Sequence, residues 1–172
     1  MSYGLLVLRL AVGGIMAAHG AQKVFGWWGG PGMSGTTAMC VNLGYRQPLL
    51  MGAALATAEL GGGLSLATGF LTPLGALAVT VVMLTAVYLV HLARGFFNSA
   101  GGYEFNLLIA AAALALVATG PGRFSLDRAF GWDDEISGVW WAVGVAVVAL
   151  VVAVVVLTVG RRHSAATEPE PA

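Results

Sequence analysis

The chain has 172 residues, 58% of them hydrophobic and only 9% charged, where a soluble domain carries about a quarter charged residues. Its mean hydropathy of +0.85 therefore marks an integral membrane protein. Lys and Arg balance Asp and Glu without any basic block, which excludes a nucleic-acid binder, and Cys40 is the only cysteine, which excludes an intramolecular disulfide, a CxxC redox pair and a multi-thiolate metal site.

The first apolar run does not read as a cleaved signal peptide: no basic stretch precedes it, Arg9 interrupts it, and it continues into His19 and Lys23. The runs are long and continuous rather than alternating, so they are helices, and in lipid only helices or closed barrels satisfy their own backbone groups. We expect five spans, near Leu5 to Phe25, Leu49 to Phe70, Leu74 to Arg94, Glu104 to Thr119 and Gly138 to Val159. The expected fold is all-α and membrane-integral: a four-helix transmembrane bundle over residues 1–130, an additional C-terminal transmembrane helix in 131–160, and a disordered polar tail over 161–172.

Trp27 and Trp28 open the first loop and belong at the headgroup layer, Thr36 to Leu43 predicts a short interfacial helix ended by Gly44, and Leu71, Thr72 and Pro73 predict a tight turn that makes spans two and three antiparallel neighbours. Small residues four apart (Gly13, Ala17 and Ala21 on span one, Ala54, Ala58 and Gly62 on span two) let backbones approach closely, so the first four spans read as a tight bundle. The fifth is almost entirely valine and alanine and reads as a peripheral, lipid-facing helix without chemistry. Lys23, Arg46, Arg94, Arg161 and Arg162 fall on one side of the membrane, against Arg123, Arg128 and the more deeply set Arg9 on the other, which places the first loop and the C-terminus in the cytoplasm.

Ionisable residues inside spans face one another or a wet cavity. His19 and Lys23 are four apart on one helical face, and Arg9, fourteen residues before Lys23, returns to within about 40° of it. Glu59 lies ten residues beyond Leu49 and so about 15 Å deep. With His91, Arg94 and Glu104 these positions outline a polar funnel narrowing toward Glu59, and Glu59 and Glu104 are the acids available to pair with the basic face. The alternative is that the charges are structural ion pairs, with Lys23 and Arg94 reaching toward headgroups. His19 and His91 could ligate a b-type haem or share a metal with a carboxylate, but lone histidines near span ends are more often hydrogen-bonded polar residues, and no metal site is expected. A quinone site needs a histidine or lysine for a ring carbonyl, a carboxylate for protons and aromatic walls. His19, Lys23, Glu59, His91 and Glu104, with Phe25, Tyr88, Phe96 and Tyr103 nearby, supply these.

The ordered series Leu8-Arg9-Leu10, Gly13, His19-Gly20, Lys23, Phe25-Gly26, Glu59-Leu60-Gly61-Gly62, Met83, His91, Gly95-Phe96-Phe97, Gly101-Gly102-Tyr103-Glu104 and Gly120-Pro121-Gly122-Arg123-Phe124-Ser125-Leu126-Asp127 resembles the DoxX family over about residues 4 to 130. The resemblance implies a four-helix bundle of the plasma membrane linked to redox chemistry. Relatives include the small subunit of an archaeal thiosulfate:quinone oxidoreductase and a mycobacterial protein associated with a superoxide dismutase and a sulfurtransferase in a thiol-stress complex. The fifth span is not explained by it.

These residues admit three readings. The first is a subunit coupling sulfur or thiol oxidation to membrane quinone, with Glu59, His19 and His91 in proton or hydrogen-bond roles and Arg9, Lys23, Glu104 and Tyr103 framing the quinone. The second is a non-catalytic scaffold recruiting soluble redox enzymes; the third is a small-solute or proton carrier.

Overall fold

Backbone groups in lipid must find their partners within the segment, and the computed structural model, which describes residues 2–161, meets this with helices and has no strand among the described residues. In chain order these are α1 (Ser2–Phe25), α2 (Gly32–Asn42), α3 (Pro48–Thr68), α4 (Thr72–Ala86), α5 (Glu104–Thr119), the single turn α6 (Leu126–Ala129) and α7 (Val139–Thr158). α1, α3, α4, α5 and α7 alternate in direction, while α2 and α6 lie in connections. Ser2–Phe25, Pro48–Thr68, Thr72–Arg94 and Val139–Thr158 are long and apolar enough to cross a membrane. At 16 residues, α5 is about 24 Å long, short of the roughly 30 Å hydrocarbon layer. The fold is thus all-α and membrane-integral, with the expected count of five spans resting on α5.

The closest packing is between α1 and α3. A Cβ on Gly13 would strike the backbone of Gly63 and Ala67, one on Gly63 would strike Gly13 and Ala17, and one on Gly20 would strike Leu60. The three contacts descend one helix as they climb the other, so the helices are antiparallel and their backbones touch. Glycine is required here for close approach, the small-residue seam of membrane helices. Val12, Leu66, Val79, Ile109 and Leu116 fill a dry core in the half of the bundle nearer the N-terminus. α7 packs mainly on α4 and α5, burying only Val145, Ala149 and Ala153.

A polar knot closes that half. The carboxylate of Asp127, fully buried, accepts from the backbone of Leu71 (2.7 Å) and Thr72 (3.0 Å) and from the Thr72 hydroxyl (2.7 Å). It thereby caps α4 at the end where orphan N–H groups and the helix dipole favour an anion, and it steadies Leu71, whose φ of 49° is left-handed. Arg9, 1% exposed, donates from Nη2 to the carbonyl of Phe124 at 2.5 Å and feels the charge of Asp127. The expected pairing of Arg9 with a span carboxylate is therefore corrected: its counter-charge comes from the 120–138 connection. Gly69, at φ 65°, leaves room for that guanidinium.

Other differences are local. α2 starts at Gly32, four residues before the expected Thr36, because Pro31 opens it. The third apolar run is α-helical only to Ala86, then becomes a π-helical turn over Val87–His91 and a 3-10 turn over Leu92–Arg94. Arg161, assigned to a disordered tail, is held: it bridges Tyr45, and its Nε donates to Leu43 O at 2.9 Å. Residues 162–172, the rest of that expected tail, lie outside the described residues. Aromatic belts mark both interfaces, with Phe25, Trp27 and Trp28 stacked at one and Phe70, Phe130 and Trp132 at the other.

Replacing Gly63 by Ala forces α1 and α3 apart, whereas Gly61, with open space around it, tolerates Ala. We expect the yield of folded, monodisperse protein in detergent to collapse for the first variant and stay unchanged for the second. Asp127→Ala should cost about 3 kcal/mol by thermal or denaturant unfolding, because it strands buried donors.

Candidate functional site

In the half of the bundle away from the knot, the helices part around a cavity of about 540 Å³. Glu59 is placed there because Leu60 sits against Gly20 across the glycine seam. The carboxylate is 5% exposed, and Lys23, three residues beyond Gly20, meets it with Nζ 2.5 Å from Oε2. Neither charge has much access to water, so each is the other's main stabilisation; a buried pair of this kind is costly to break from one side, on the order of 3 to 5 kcal/mol. His19, one helical turn before Lys23, lines the same cavity.

His91 reaches the cavity from the π-helical turn that ends the α4 run. Such a turn inserts an extra residue, which rotates the later side chains about the helix axis, and turns of this kind recur at functional sites. The ring Nδ1 lies 2.7 Å from the carbonyl of Gly101. A carbonyl only accepts, so Nδ1 carries a proton, and Nε2 is the ring nitrogen left facing away from that bond. The same bond ties the 95–103 connection to the cavity rim.

Glu59, Lys23, His19 and His91 thus share one cavity, and the other three predicted positions do not line it. Arg9 belongs to the knot, about 15 Å along α1 from His19. Glu104 is exposed and accepts from the backbone of Asn98 at 3.0 Å, steadying the 95–103 connection rather than facing a ligand. Tyr103 packs edge-on against Phe96, centroids 5.5 Å apart. The deep wall also carries Asn106, buried, whose amide donates weakly to Met83 Sδ at 3.5 Å, and a soft lining of Met16, Met39, Met51 and Cys40. Sequence reasoning passed over Asn106 although an amide inside an apolar run is itself a signal, and it used the lone Cys40 only to exclude a disulfide, a CxxC pair and a multi-thiolate metal site. Burial pushes the Cys40 thiol above its usual range. Among the described residues no three of His, Cys, Asp and Glu gather as metal ligands.

Apolar helices at membrane length, closed at one end and holding a desolvated ion pair in a ligand-sized cavity at the other, define a small multi-pass membrane protein with an internal polar site. Within that class the chain belongs to the DoxX family, whose model matches residues 4–92. It is similar to Inner membrane protein YqjF of Escherichia coli (strain K12), 34% identical over 127 residues that make up 73% of this chain and 90% of that protein. Inner membrane protein YphA of the same organism is 32% identical over 129 residues, 72% of this chain and 88% of that one. No solved structure matches the chain.

Single replacements Lys23→Met and Glu59→Gln should each lower unfolding free energy in detergent by about 3 kcal/mol, and the double variant by clearly less than their sum. Additive losses would show that the two side chains do not stabilise each other.

Proposed function

We propose that this protein is the membrane subunit of a redox system that links oxidation of a sulfur compound or thiol to membrane quinone, and that the cavity is the quinone site. The observation that supports this most is the Lys23–Glu59 pair set deep in a cavity of about 540 Å³, with two imidazoles on the same lining. A quinone, when bound, supplies a two-electron, two-proton acceptor; the chain's own part is to hold it and to handle the protons.

The polar residues fit that group, while the aromatic lining is Tyr45 and Phe105 in place of the expected Phe25, Tyr88, Phe96 and Tyr103, which do not line the cavity. Lys23 Nζ has donors beyond the one used on Glu59, and His19 offers a second donor on the same helical face. Nε2 of His91 and the carboxylate of Glu59 can each take and give up a proton. Asn106 and the methionines give a polarisable wall suited to a conjugated ring. With a single cysteine, the chain has no dithiol of its own to oxidise, so the electron donor sits on a soluble partner, consistent with the sulfurtransferase and superoxide dismutase associations that the family resemblance implies. The cavity lies toward the face that carries Lys23, Arg46, Arg94 and Arg161, against Arg123 and Arg128 opposite. By the positive-inside rule we place that face, and the end of α7, in the cytoplasm.

Organic extraction of purified protein and mass spectrometry of the extract should recover a quinone, and reconstituted protein with its partner should reduce added quinone in the presence of thiosulfate or a thiol. Glu59→Gln should lower that rate about a hundredfold, the size of a lost proton-transfer group. Full activity in a folded Glu59→Gln variant would remove the proposal.

A further inference from the structure

The walls of the cavity are chemically unequal. α1 supplies His19 and Lys23 and α3 supplies Glu59, whereas α7 supplies only Val152 and Val156, facing Met51 and Leu55 of α3. Val156 is two residues from the end of α7 and Met51 three from the start of α3, so this apolar arm runs toward the membrane surface, while Glu59 lies two turns deeper. One cavity therefore has a charged, hydrogen-bonding end and an arm without a polar side chain on these two walls.

A clasp lies at the end of the arm. Just past α7, Gly160 O accepts from the backbone of Arg46 at 2.9 Å, Arg161 O accepts from Arg46 Nε at 3.0 Å, and Arg161 Nε donates to Leu43 O at 2.9 Å. These bonds join the end of α7 to the connection between α2 and α3. Most of the helix packs on α4 and α5. The helix that family resemblance left unexplained is thereby fastened over the cavity.

Resting on the quinone reading for its head, we propose that the ligand is an amphiphile whose polar head is held by Glu59, Lys23 and His19 and whose apolar tail lies along Val152 and Val156 of α7, beneath the Arg46 and Arg161 clasp. A tail leaving lipid gains little hydrophobic free energy, because lipid is as apolar as the arm. The arm therefore selects by shape, and filling it acts sterically.

Cys40 provides the readout. It is the sole cysteine, 1% exposed, and lines the cavity, so an occupant shields it from N-ethylmaleimide. In the full chain in nanodiscs, decylubiquinone and tail-less duroquinone should each slow Cys40 alkylation, by about tenfold at ten times the dissociation constant. Val156→Trp should abolish protection by decylubiquinone and leave that by duroquinone; unchanged protection by both, or loss of both, overturns the tail arm. Val156→Phe gives the same test with a smaller ring, and a thermal melt separates misfolding from steric block. If neither quinone protects the wild-type chain, the quinone reading falls, and 1-decanol then decides the arm alone: protection that Val156→Trp removes upholds it, and no protection sinks it. Arg161→Ala should raise the unliganded alkylation rate severalfold, and an unchanged rate would remove the clasp from the proposal.

Discussion

The contact between the backbones of α1 and α3 sets almost everything else. Because Gly13, Gly20 and Gly63 carry no side chain where the helices meet, the two axes close to a distance that admits one register. That register puts Lys23 opposite Glu59. In water such a pair would contribute little, but among the described residues neither charge makes another salt bridge, so geometry imposed by absent side chains fixes a charged site. The seam and the ion pair are one constraint seen at two depths.

The bundle divides along its length. Toward the N-terminus the helices are packed dry, and their ends are tied by Asp127 and Arg9 to the 120–138 connection. Toward the other face, α2, the π-helical turn and the end of α7 hold the helices apart around the cavity. The π-helical turn and the clasp are both departures from regular helix that serve this second half: one delivers His91, the other fastens a wall.

The long apolar runs and the turn at Leu71 to Pro73 were legible in the sequence, because length and composition act locally; of the small-residue faces, Gly13 and Ala17 fall on the α1–α3 seam, but its Gly20 and Gly63 were not foreseen, and the expected Gly62 meets α4. The depth of Glu59 on its helix was legible too. What spacing on one helix could not give was the partner. Arg9 and Lys23 share a face of α1, yet Arg9 lies nearly four turns away and is met by Asp127, a residue in a connection rather than a span. Glu104 has the right height but faces outward, since the rotation of α5 is decided by Asn106, Ile109 and Ala113 packing inward. The role of Val152 and Val156 was invisible for a different reason: nothing in a run of valines tells which of them lies over a cavity until the end of the helix is seen to be tied down.

The polar knot at Arg9 and Asp127 also makes the two ends of the bundle mechanically unequal. Behind the cavity stand a buried carboxylate, an arginine and an apolar core, so parting the helices at that end would strand the donors on Asp127 and release Leu71 from the contact that steadies its left-handed backbone. Breathing of the bundle is therefore cheapest at the cavity end.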